Sequence, residues 1–234
     1  MAAAPASRQG NAAQGADQVA RSPDRGYTVR VGYDGVRPKQ GGLMGAVERF
    51  RSALRELEVP EPMMAQIMAG LERISDNSDK PRQAAFFAEA IRRMDDLLDA
   101  ETCHAVRDAC ACSKSGWRLK AVQKLAQEYA GRSLEEKVRA LWDVTYMGKP
   151  VINPDGTITT GIGDRGGFPC PCPVFSAGGP TEPVSLTYCY CCAGHFRHHY
   201  QIALGVRLAT KEVSSSALAS QGQEPCRFVF EIVG

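Results

Sequence analysis

Between Leu43 and Leu57, apolar residues recur at steps of three and four: Leu43, Val47, Phe50, Leu54 and Leu57. That spacing matches one face of an α-helix and predicts a helix that Pro60 stops. A second helix is expected through Met63, Ile67, Met68, Leu71 and Ile74. A third opens at Asp79, with Pro81 in its first turn, and carries Phe87, Ile91, Met94 and Leu98. The methionines in this stripe fit adaptable core packing. In the next run, ETCHAVRDACACSKSG, Cys103 and Cys110 are seven apart and share a helical face, and Cys112 falls just past the helix end. WRLKAVQKLAQEYAG reads as a helix closed by Gly131, and Ser133 with Glu136 forms a capping box ahead of LEEKVRALWDVTY.

At Gly148 the period changes. KPVINPDGTITTGIG reads as a β-hairpin turned by NPDG. GFPCPCPVFSAGGP reads as a loop, because its prolines and glycines cannot pair inside a sheet. VSLTYCY alternates like a strand, and CAGHFRHHYQIALG puts Phe196, Tyr200 and Ala203 on one side of a helix. VRLATKEV and CRFVFEIV complete the strands, with SSSALASQGQEP as a turn and loop between them. The fold class is therefore α+β: an N-terminal helical bundle followed by a small antiparallel sheet with one packed helix. One domain is expected over 43–234, its helical part at 43–147 and its sheet part at 148–234. Residues 1–42, rich in Gln, Gly and Asn, read as a disordered or loosely attached tail that holds one strand-like run, YTVRVGYDG.

Charge adds little and cysteine adds much. The 234 residues carry a formal net charge of +2, with 23% charged and 44% hydrophobic residues, so no nucleic-acid partner is expected. No window reaches the length of a membrane span, and the N-terminus lacks the apolar stretch of a secretory signal, so the expected compartment is the cytoplasm, where thiols stay reduced. The chain has nine cysteines, an odd number, in Cys-x-Cys units whose close spacing disfavours a bridge within each unit. Metal binding or thiol chemistry is the expected use.

The densest stretch is TYCYCCAGHFRHHYQ, residues 187–201. If a strand ends there, Cys189 and Cys191 point the same way, while Cys192, His195 and His199 follow along one helical stripe. Zinc takes thiolate sulfur at about 2.3 Å and imidazole nitrogen at about 2.0 Å, which neighbouring turns can supply. Cys170 and Cys172, in PCPCP, present thiols from a stiff, solvent-accessible ribbon. His198 and His199 are expected on an exposed cationic face with Arg197. The expected activity is metal binding, zinc first.

Two other readings use the same residues. Cys191 near a helix N-terminus, with His195 one turn on, fits a nucleophile that attacks an electrophilic carbon, as in a hydrolase acting on a C–N bond. A thiol-redox or metal-trafficking role would use Cys110 and Cys112.

The last fifty residues resemble the 4-vinyl reductase-like ligand-binding domain. Cys189 stands at the strand end, Gly194 follows five positions later, and Gly222 leads to Cys226 and Phe228 in a Gly-x-x-x-Cys-x-Phe pattern. The nearest branch is Cys-rich and also similar to the L-2-amino-thiazoline-4-carboxylic acid hydrolase-like proteins. The resemblance implies a cavity between helices and sheet for a small, largely apolar molecule, and with this small-molecule ligand a sensor or carrier role. It also implies zinc held by Cys189 and Cys226. Ser215 and Leu218 occupy the other two ligand positions and cannot serve. Cys191, Cys192, His195 or the loop thiols Cys170 and Cys172 are then expected to complete the set.

Overall fold

The computed structural model describes residues 44–112, 114–163, 170–176 and 182–234. The tail and its strand-like run lie outside these. Among the described residues the α+β expectation holds: seven α-helices, most of them ahead of a four-stranded antiparallel sheet.

The helices begin where polar side chains can satisfy their free N–H groups. α1 (Ala46–Glu56) is capped from a distance, because the Asp76 carboxylate accepts from Val47 N at 2.8 Å and Glu48 N at 3.2 Å. Gly45 allows this, since a Cβ there would lie 2.0 Å from Asp76 Cγ. α2 (Glu61–Met68) is shorter than its apolar pattern; Leu71 and Ile74 lie in the turns beyond it, where Gly70 takes a φ of 74° that a helix cannot carry. α3 (Lys80–Leu97) and α4 (Ala100–Ala109) start at Asp79 and Asp99, each accepting from the third residue onward. α5 (Gly116–Glu128) and α6 (Leu134–Ala140) follow, the latter with the expected Ser133–Glu136 capping box.

β1 (Val151–Ile152) and β2 (Ile158–Ile162) form the expected hairpin. β3 (Leu208–Ser215) and β4 (Cys226–Ile232) complete a sheet of order β1-β2-β4-β3. α7 (Tyr190–Leu204) ends at Gly205, whose φ of 71° suits glycine.

α7 is buried on several sides. Phe196 and Tyr200 meet Phe228 and Phe230 of β4, at ring-centre distances of 5.4 and 5.9 Å. The Tyr200 hydroxyl donates to the Met147 carbonyl and lies 2.8 Å from Thr160 Oγ1. These side chains fill the space between α7 and the sheet. On its other flank α7 crosses α4 closely at Gly194, where a Cβ would fall 2.7 Å from Asp108 Oδ1. Asp108 in turn holds Arg197 of α7 through both carboxylate oxygens.

One expectation is overturned. The segment VSLTYCY is not a strand. Residues Leu186–Cys189 form a 3₁₀ turn that runs directly into α7. Ser185 starts it, its Oγ accepting from Thr187 N at 3.2 Å and its carbonyl from Tyr188 N at 3.0 Å. Thr187, Tyr188, Cys189, Tyr190 and Cys191 are all buried, so burial here does not alternate and the strand pattern loses its driving force. No helix among the described residues is long and apolar enough to cross a membrane.

A candidate thiolate site between α4 and α7

The centre of the site is a residue that the spacing of cysteines and histidines does not point to. Arg107, on α4, is 2% exposed. Its Nε and Nη2 donate to the Tyr188 carbonyl at 3.3 and 3.1 Å, and its guanidinium carbon lies 4.4 Å from the Tyr188 ring centre and 5.3 Å from that of Phe87. Among the described residues no carboxylate pairs with it. Burial opposes its charge, and ionised Cys191 is foremost among the groups that favour the cation. A buried cation needs a counter-charge, and here sulfur is placed to supply it.

Cys191 is that sulfur. The neighbouring Cys192 thiol and, against the cost of burial, the positive charge of Arg107 and then Arg49 bring its pKa down to about 6. The ordinary thiol value is 9.0, so these groups favour the thiolate form of Cys191. Cys192 moves the other way and stays protonated. The helix-dipole expectation for Cys191 is weakened, because the 3₁₀ turn continues into α7 and Cys191 does not sit at a free helix end.

The helical geometry also corrects the expected common direction of Cys189 and Cys191. Two residues apart on a helix, their side chains project about 200° apart. Burial pushes the Cys189 thiol well up, whereas the charge of Arg107 acts to lower Cys191.

Loop and strand thiols complete the neighbourhood. Cys172 Sγ is 3.1 Å from the Tyr188 hydroxyl, and burial raises its pKa. Both Cys170 and Cys172 are half-buried rather than fully solvent-accessible, and burial pushes Cys170 up to about 12. Cys226, at the start of β4, is buried and raised as well. Cys170, Cys172, Cys189, Cys191 and Cys226 come from three separate segments, and an ionised Cys191 would oppose ionisation of Cys170, Cys172 and Cys189. Cys103 and Cys110 face inward from α4, with Sγ donating to the carbonyls of Met94 and Val106 at 3.4 and 3.1 Å.

His195 sits in a different cluster. Its Nδ1 donates to the Cys112 carbonyl at 2.8 Å, and its ring is 4.7 Å from that of His199. Burial brings its pKa down to about 4, and the charged groups acting on it are His199, Arg118 and His198 rather than a thiol. His199 is not exposed as expected but 0% accessible, packed 5.2 Å from the His198 ring and 6.1 Å from Tyr146. Arg197 is engaged with Asp108 rather than forming a solvated face.

The thiols converge without forming a coordination shell: among the described residues no group of three or more His, Cys, Asp or Glu is arranged to hold a metal ion. Two surface hollows, one beside Glu135 and Arg139 and one beside Gln66 and Arg93, include no thiol in their walls. What the site can do chemically is keep one sulfur ionised beside a fixed cation, with S–H and O–H groups close by. No protein-family model matches the sequence, and no curated protein or solved structure is significantly similar to it.

Proposed function

We propose that this chain is a cysteine-dependent enzyme in which Cys191 attacks an electrophilic carbon, with cleavage of a C–N bond as the reaction class. The observation that carries the proposal is Arg107, a buried arginine with no carboxylate partner among the described residues, whose guanidinium is held at the carbonyl of Tyr188, three positions before Cys191. A thiolate is far more nucleophilic than a thiol, and a fixed cation keeps it ionised at neutral pH. On attack, the Cys191 sulfur pair forms the new bond to carbon. The S–H of Cys192, the next residue on α7 and held protonated, gives a proton to the departing nitrogen as the C–N bond breaks. Water then releases the acyl or imidoyl group from Cys191. His195, held by the Cys112 carbonyl, takes no part. The resemblance to the thiazoline carboxylic acid hydrolase-like proteins supports the same reaction class.

The test is brief labelling of the full chain with limiting iodoacetamide at neutral pH, read by peptide mass mapping. Cys191 should be alkylated at least ten-fold faster than the other eight cysteines, and the selectivity should vanish in Arg107→Met. Uniform labelling would overturn the proposal. So would protection of the whole thiol group that a chelator releases, together with stoichiometric zinc in elemental analysis; that result would assign Cys170, Cys172, Cys189, Cys191 and Cys226 to a metal.

A further inference from the structure

His195, His198 and His199 lie at steps of three and four on α7, and their rings form one cluster, with centres 4.7 Å apart for His195 and His199 and 5.2 Å apart for His198 and His199. The cluster holds the approach to α5 by its backbone. His195 Nδ1 donates to the Cys112 carbonyl at 2.8 Å, and His198 Nε2 donates to the Lys114 carbonyl at 3.3 Å. A carbonyl can only accept, so each of these nitrogens carries the proton of a neutral ring. A third clasp comes from Tyr146, whose hydroxyl donates to the Arg118 carbonyl at 2.6 Å and whose ring lies 6.1 Å from that of His199. The start of α5 is otherwise weakly fixed: Ser115, at the N-cap, makes no side-chain capping bond, and Gly116 takes a φ of 74°, which suits a hinge. The buried anchors of α5, Val122 and Leu125, lie farther along the helix.

A second proton on these rings meets positive charge from several sides. Arg118 of α5 acts on His195 together with the other two histidines; His199, Lys114 and Arg197 act on His198. The α4 carboxylate, Asp108, is bound to Arg197 through both oxygens. Lys114 is acted on in turn by Asp108, Arg197, Cys110 and Arg49 of α1. From α6, Lys137 donates to the Leu204 carbonyl at the far end of α7.

We infer that the three histidines form an acid-operated latch: protonation of the His195, His198 and His199 cluster detaches the first turn of α5 from α7 while the rest of the fold stays intact. The inference does not depend on the reading of Cys191. In the closed form burial holds His195 and His198 below the ordinary 6.5, His195 at about 4. Rings released into water return to the ordinary value, so opening takes up protons. It becomes more favourable as pH falls below about 6.5 and gains nothing further from His195 below about 4.

The experiment follows amide hydrogen exchange of the full chain by peptide mass from pH 7.5 to pH 5, with rates normalised to intrinsic exchange at each pH. Peptides over 114–121 should lose protection by about ten-fold or more at pH 5, while peptides over 84–94 of α3 change by less than about two-fold. His195→Gln and His198→Gln keep an N–H for each carbonyl but do not titrate. Each should retain more of the protection at pH 5 than wild type, and either folded variant suffices. Unchanged protection over 114–121 in wild type would overturn the inference. So would an equal loss in α3, which is global unfolding, or an undiminished loss in the folded glutamine variants.

Discussion

The Arg107 guanidinium donates to the carbonyl of Tyr188 while its carbon lies 4.4 Å from the centre of the same residue's ring, so one tyrosine holds the cation by both backbone and side chain. Tyr188 is itself wedged edge-on against Phe87 and Phe175, at 5.4 and 4.8 Å. This arrangement fixes a charge in an aromatic setting where it cannot turn towards water, and Cys191 is the ionisable group that gains most from it.

Removing the cation should therefore cost stability as well as reactivity. Arg107→Met leaves the Tyr188 carbonyl without its donor and Cys191 without its nearest cation. A loss of about 2–4 kcal/mol in unfolding free energy is expected, the range for breaking a buried charged interaction. Urea unfolding followed by circular dichroism measures it. Arg107→Lys should recover part of the stability but less of the thiolate character, because an ammonium cannot reproduce the two-nitrogen grip on the carbonyl.

Gly194→Ala should push α4 and α7 apart. The new methyl would meet Asp108 Oδ1 at 2.7 Å and the Asp108 carbonyl oxygen at 3.0 Å, and Asp108 cannot swing aside without releasing Arg197. Overpacking of this kind costs about 1–3 kcal/mol. The same displacement would move Arg107 away from Cys191, so the variant should also lose selective alkylation.

Acid should weaken the fold through His195. Burial brings its folded pKa to about 4, below the ordinary 6.5, so between these values the unfolded chain binds more protons than the folded one. Stability then falls as pH drops from about 6.5 to about 4 and levels off below that, as far as this residue is concerned. Urea midpoints across that window should show the decline, and His195→Gln should flatten it. A midpoint in wild type that does not change with pH would contradict the effect.

The helical half of the fold was legible because its information is local. Val47, Phe50 and Leu54 mark a face by spacing alone, and Asp79 and Ser133 announce helix starts that the structure reproduces. VSLTYCY misled because alternation implies a strand only when one face is solvated, and here residues 187–191 are buried throughout. The cysteine-rich stretch drew attention to Cys191 and its neighbour Cys192, but not to Arg107, 84 positions earlier, whose charge also favours the Cys191 thiolate. A clue was present: Arg107 lies on the α4 stripe marked by Cys103 and Cys110, where a solvated arginine does not belong. The placement of Cys170, Cys172 and Cys226 relative to Cys191 had no local signal, because it depends on how a loop and the start of β4 return to α7.

The pH profile of Cys191 alkylation by iodoacetamide, followed by mass mapping in wild type and Arg107→Met, tests the thiolate–arginine pair most directly. The rate in wild type should rise with a midpoint of about 6, and in the variant the midpoint should move up towards the ordinary thiol value of 9.0. A wild-type midpoint already at that ordinary value, or one that stays near 6 without Arg107, would contradict the pairing on which the proposed chemistry stands.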